Sequence, residues 1–228
     1  MPDRRDTAIK LMEHQKFAEA IPFFLSLINS TPHDWSLFYM VGQCYRYTNN
    51  ALEATRVLKR AAELKPDEAE VFLALGIAYQ LDEDYKSAIV ALEEAVYLEP
   101  QMYSAYNSLG LTYKLSGEFH KALEWYSRAD KGIVSAVTHE VQKDREKCFR
   151  DEVIEGKKTR VILDYMFEKI HEILRSDPMY AIIKNNIGVC LIELGDINGA
   201  QEQFRESIEF IPDDYNYPAP YENLESIS

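Results

Sequence analysis

The chain has 228 residues, 46% of them hydrophobic, with a net charge of −13 and an isoelectric point of about 4.9. That mixture excludes a disordered chain, and the acidic balance argues against nucleic acid and anionic membrane surfaces as main partners, since phosphate recognition needs clustered Lys and Arg. No stretch approaches the roughly 20 apolar residues that cross a bilayer, no apolar segment follows the N-terminal "MPDRRDTAIK", and Cys44, Cys148 and Cys190 match neither a zinc site nor a redox pair; the expectation is a cytoplasmic protein with buried thiols.

Nine glycines and nine prolines are few for this length, and apolar residues recur at three and four, so the predicted elements are helices nearly throughout. In chain order, residues 1–34 carry Ala8, Phe17, Ala20, Phe24, Leu27 and Pro32 in the phase that the next three segments repeat. Those segments, 35–68, 69–102 and 103–136, are fixed by Gly42, Gly76 and Gly110, spaced by 34. An aromatic stands four before each glycine (Phe38, Phe72, Tyr106) and a tyrosine three after it (Tyr45, Tyr79, Tyr113). Alanines follow at twelve (Ala54, Ala88, Ala122) and nineteen (Ala61, Ala95, Ala129), with a large apolar residue between them (Leu58, Leu92, Tyr126). Proline at Pro66 and Pro100 ends a helix and starts the next, and polar turns such as "LDEDY" and "LSGEF" divide each segment into two helices.

A glycine inside a helix costs about 1 kcal/mol relative to alanine. Small residues on facing helices, Gly76 against Ala88, let the axes approach so that neighbouring aromatics bury over the contact, at roughly 1.5 to 3 kcal/mol for each large apolar side chain.

Gly188 opens a further segment, 181–214, with Gly195, Ala200, Phe204, Ser207 and Pro212 in place. It lies 78 residues beyond Gly110, two periods and ten, so a lengthened, degenerate pair is expected over 137–180. Its helices read as a charge-rich one over 137–155, anchored by Val137, Val141, Cys148 and Phe149, and an amphipathic one over 159–175 ended by "SDP". Ile154 takes the glycine position there, and Met166 the alanine position. The tail 215–228 has two readings: disordered, or folded so that Tyr215, Tyr217, Tyr221, Leu224 and Ile227 cover the end of the array, a partner, or a second copy in a self-association.

About eight positions recurring in phase resemble the tetratricopeptide repeat. The resemblance implies an all-α, right-handed superhelical solenoid of antiparallel helix pairs over 1–214, whose first helices line a concave groove that binds extended or helical peptides. In that family six positions per repeat face the groove. Here they are Ser36, Tyr39, Met40, Gln43, Arg46 and Tyr47; Glu70, Leu73, Ala74, Ile77, Gln80 and Leu81; and Ser104, Asn107, Ser108, Leu111, Lys114 and Leu115. The candidate contact set is Tyr39, Met40, Gln43, Arg46, Tyr47, Leu73, Ile77, Gln80, Asn107, Leu111 and Lys114, apolar at the centre with polar flanks, which suits an amphipathic helix or an extended segment with apolar anchors. The branch of the family that clamps the C-terminal carboxylate of chaperones is not matched. Its Lys and Asn positions hold Arg5 with Ile9, Tyr39 with Gln43, Leu73 with Ile77, Asn107 with Leu111, and Asn185 with Val189.

No phosphate loop, dinucleotide fingerprint, nucleophile elbow or H-E-x-x-H occurs, and the five histidines are scattered, so neither catalysis nor a metal or cofactor is expected. The leading expectation is an adaptor or scaffold that binds another protein through a short peptide or amphipathic helix; the alternatives are a dedicated chaperone or assembly factor for a client protein, and a non-catalytic regulator of a signalling enzyme.

Overall fold

The computed structural model describes residues 4–154, 157–162 and 164–228, which form helices and one two-stranded hairpin. By its contacts the chain divides into two compact units, Met1–Gly117 and Glu118–Ser228.

The first unit contains α1 (Arg4–Glu13), α2 (Phe17–Ser30), α3 (Trp35–Tyr47), α4 (Ala51–Leu64), α5 (Ala69–Leu81), α6 (Tyr85–Leu98) and α7 (Tyr103–Leu115). Each packs on the next, and α5 also packs on α3 and α7, so first helices lie beside first helices. Side chains start several of them. Asp34 accepts from the Ser36 amide at 3.1 Å and is itself held by Arg5 at 3.2 Å; Asn50 and Asp84 cap α4 and α6 in the same way.

The glycine contact differs in one respect from the expectation. A Cβ on Gly76 would lie 2.5 Å from Leu92 Cγ and 3.3 Å from the Ala88 carbonyl; on Gly42 it would lie 2.4 Å from Leu58 Cγ. The close approach to Ala88 is present, but the residue seated on the glycine is the leucine of the second helix, fully buried at both levels, rather than an aromatic. Ala8, buried with Phe24 in one cluster, takes the glycine's place between α1 and α2.

The turns inside the pairs share a second constraint. Gln15, Asn49, Glu83 and Gly117 stand 34 apart, and all four have positive φ, between 57° and 79°. A left-handed residue closes the first helix at each level; only at Gly117 is it the residue that adopts this conformation without strain.

The second unit contains α8 (Phe119–Val141), α9 (Arg145–Cys148), β1 (Phe149–Ile154), β2 (Lys157–Ile162), α10 (Asp164–Arg175), α11 (Pro178–Glu193), α12 (Ile197–Glu209) and α13 (Ala219–Ser226). The helix expected over 137–155 is not formed: α8 ends at Val141, and the following segment turns into a hairpin with Phe149 opposite Ile162 and Ile154 opposite Lys157. The helix expected over 159–175 starts at Asp164 instead. Each six-residue strand carries three charged residues and a β-branched Val-Ile step, which leaves too few apolar positions for a buried helix face and suits an exposed strand pair. Ile154 therefore ends a strand rather than standing inside a helix, whereas Met166 is buried on α10 with Val141 and Cys148. All three cysteines are free and buried, and burial pushes the Cys44 thiol up to about 11.

Helix α8 packs directly on α11, and α10 lies against both. Lys184 of α11 is buried between Asp130 of α8 at 2.9 Å and Glu206 of α12 at 2.8 Å, so one ammonium ties three helices. Phe204 of α12 seats on Gly188, 2.5 Å from where its Cβ would be. The tail is ordered: α13 packs on α12 and α11, Asn223 donates to Asn185 Oδ1 at 2.8 Å, Gln201 donates to the Ile227 carbonyl at 3.1 Å, and Pro220 is fully buried. Tyr217 sits half-buried against Asn185, while Tyr215 and Tyr221 stay exposed.

Two outcomes test this packing. Gly76→Ala should destabilise the chain by about 1–2 kcal/mol, overpacking outweighing the gain in helix propensity, and Gly76→Ala with Leu92→Ala should be more stable than the sum of the single changes in urea denaturation. Removal of residues 213–228 should lower the melting temperature by several degrees, followed by circular dichroism, because it strips α13 from α11 and α12.

Candidate functional site

Helices α3 and α5 and the start of α7 enclose a cleft of about 210 Å³, lined by Tyr39, Gln43, Arg46, Glu70, Leu73, Ala74, Ile77, Met102 and Ser104. The helical repeat explains the grouping. Tyr39, Gln43 and Arg46 fall at spacings of four and three along α3, and Glu70, Leu73, Ala74 and Ile77 follow the same rule on α5, so each set shares a stripe.

The α3 stripe is a chain of hydrogen bonds with one direction. Arg46 Nη1 donates to Gln43 Oε1, which leaves the Gln43 amide nitrogen to donate to the Tyr39 hydroxyl at 2.8 Å, and Tyr39 donates in turn to Glu70 Oε2 at 3.3 Å on α5. A cation stands at one end and a carboxylate at the other, with two neutral groups between. Burial pushes the Tyr39 hydroxyl above its ordinary range and the Arg46 guanidinium below its own; the charge on Glu70 adds to the first effect. Leu73, Ala74 and Ile77 form the apolar wall facing this chain.

Of the eleven residues expected in the groove, Tyr39, Gln43, Arg46, Leu73 and Ile77 come together in the cleft. The other six lie elsewhere. Met40 packs against the core cluster of Phe24, Leu37 and Val41. Tyr47, 63% exposed, stacks on Phe17 of α2 with ring centroids 4.3 Å apart. Gln80 is used inside the fold: its amide donates to the Ser108 carbonyl at 2.9 Å and to Thr112 Oγ1 at 2.6 Å, bridging α5 to α7. Asn107, Leu111 and Lys114 are half-buried on α7 outside the cleft lining. Glu70, Ala74 and Ser104 occupy groove-facing positions of the repeat yet fall outside the candidate set, and Met102, at the N-cap of α7, is a cleft residue that no repeat position marks.

No cluster of three or more metal-ligating side chains exists among the described residues, and none of their helices is long and apolar enough to cross a membrane.

Stacked helix pairs with a small residue under a large one at each level define an α-helical repeat protein. Tetratricopeptide repeat models match residues 36–68, 73–135 and 181–214, more than half of the sequence, and the chain belongs to that family. Among solved structures it is similar to MamA, with 20% identity and a TM-score of 0.62 over 91% of this chain and 89% of that one. It is also similar to YrrB, a tetratricopeptide-repeat protein with an unusual peptide-binding site, with 16% identity and a TM-score of 0.61 over 96% of this chain and 89% of that one. A third is TTC0263, a tetratricopeptide-repeat protein of Thermus thermophilus, with 14% identity and a TM-score of 0.61 over 99% of this chain and 97% of that one. At these identities the likeness is one of fold. No curated protein matches the sequence.

Gln80→Ala tests the internal tie between α5 and α7. It should lower stability by about 1–2 kcal/mol in urea denaturation, since Thr112 is fully buried and loses a partner.

Proposed function

We propose that this chain is a non-catalytic adaptor that holds a peptide segment or amphipathic helix of another protein in the cleft of α3, α5 and α7. The observation that carries this reading is the pairing of an apolar wall, Leu73 and Ile77, with a pre-ordered row of hydrogen-bonding groups, Tyr39, Gln43 and Arg46. Apolar side chains seated on the wall supply affinity, and polar groups fixed beforehand supply orientation without an ordering cost at the moment of binding. The YrrB structure, in which a similar fold carries a peptide-binding site, supports the assignment of a peptide as ligand. Three free, buried thiols support a reducing compartment, and we place the adaptor in the cytoplasm.

Leu73 and Ile77 are half-buried on the cleft, so charge can be introduced there without opening the core. Leu73→Glu with Ile77→Glu should abolish capture of peptides from a defined array while the helical circular dichroism signal is retained. Undiminished capture by this double variant would remove the cleft as the binding site.

A further inference from the structure

Among the described residues, Arg46 is a cation without a counter-ion. It makes no ion pair with any of them, its Nε is buried with no hydrogen-bond partner, and its one side-chain bond goes to the neutral Gln43. Its other neighbour of note is the Tyr47 ring, 5.7 Å from the guanidinium carbon. The repeat explains the difference from its counterpart. One period later the same position is Gln80, which reaches the hydroxyl of Thr112; the residue that corresponds to Thr112 beside Arg46 is Ala78, which carries no hydroxyl.

A half-buried guanidinium loses more hydration when an occupant covers the cleft. An apolar segment alone would leave that charge desolvated and unpaired, which is the costly case. A carboxylate restores the balance, and the planar guanidinium, with Nη1 engaged by Gln43, still has donors to offer it. The opposite end of the cleft carries Glu70, so the surface has a cationic and an anionic side separated by Tyr39 and Gln43. A segment that runs through the cleft meets both sides, whereas a chain terminus would bring a single anion to a single cation and leave the Glu70 side unused.

Resting on the adaptor reading above, we propose that the cleft is selective for a continuous peptide segment carrying an acidic side chain, which pairs with Arg46 while a neighbouring apolar side chain seats on Leu73 and Ile77.

The test uses the full chain and arrays of N-acetylated, C-amidated dodecapeptides. Each carries two leucines and one fixed residue between them, Glu, Gln or Lys, with the remaining positions randomised; a fourth pool has Gln and a free C-terminus. The Glu pool should be captured roughly ten- to hundredfold more strongly than the Gln pool, as expected for one charge-assisted pair, and the Lys pool least. Arg46→Gln should erase the preference and Arg46→Lys should keep part of it, each with the helical circular dichroism signal retained. Equal capture of the Glu and Gln pools, lost in the Leu73→Glu, Ile77→Glu variant, would overturn the acidic selectivity and leave the adaptor reading standing. A preference that persists in Arg46→Gln, or a free C-terminus that matches the Glu pool, would overturn it as well. Failure of every pool to bind would remove both.

Discussion

A leucine seated on a helical glycine is the contact on which this structure depends. At Gly42 and Gly76 the vacant Cβ position lies within 2.6 Å of two carbons of the opposing leucine, and at Gly188 a phenylalanine ring fills the same space. No other residue type admits that approach. The helix pair is thereby brought close, and the large side chain is fully buried. Because the contact recurs at a fixed period, successive pairs within the first unit share one cross-section. Their first helices then stand side by side, and residues at matching positions of α3 and α5, Tyr39 with Leu73 and Gln43 with Ile77, line one cleft. The cleft is a consequence of the glycine contact, although no glycine lines it.

The packing scaffold was legible because it is written redundantly. Gly42, Ala54, Leu58 and Ala61 recur at Gly76, Ala88, Leu92 and Ala95, and every one of these alanines and leucines is fully buried. Where the signal is written once, it fails. The segment after Val141 has no second copy for comparison, and its few apolar residues fit a long helix as well as a strand pair. The left-handed turn residue was hidden for a different reason. Gln15, Asn49, Glu83 and Gly117 share a backbone conformation and no side-chain chemistry, so the shared constraint cannot be seen from residue type.

The make-up of the cleft was legible in part for the same physical cause. Position within the repeat fixes which way a side chain points, and five expected residues reached the cleft on that basis. It does not fix what the side chain finds there. Gln80 is long enough to cross to α7 and meets a hydroxyl, so it is consumed by the fold; Tyr47 turns toward Phe17 and leaves the groove. Such outcomes depend on the neighbour one helix away, and pattern matching within one helix carries no information about it.

The second unit shows what the same contact does when the chain departs from its period. Tyr126 and Phe204 hold equivalent phases on α8 and α12 and are both fully buried, yet 78 residues separate them. Helix α11 nevertheless packs directly on α8, joined by the Lys184 link to Asp130 and Glu206. The intervening residues are accommodated by extending α8 to Val141 and folding back through the hairpin and α10, whose buried Met166 closes on Val141 and Cys148 in a cluster of their own. At the far side α13 covers α11 and α12, and Asn185, which the repeat phase marks for a groove, is instead held by Asn223 and Tyr217 of the tail. An equivalent surface position thus becomes a capping contact in one unit and an uncovered cleft wall in the other: Tyr39 shares the phase of Asn185, and where Asn185 is met by the chain's own tail, Tyr39 faces the cleft. What decides between them is whether the chain supplies its own covering segment, as it does at the end of the array and does not over α3 and α5.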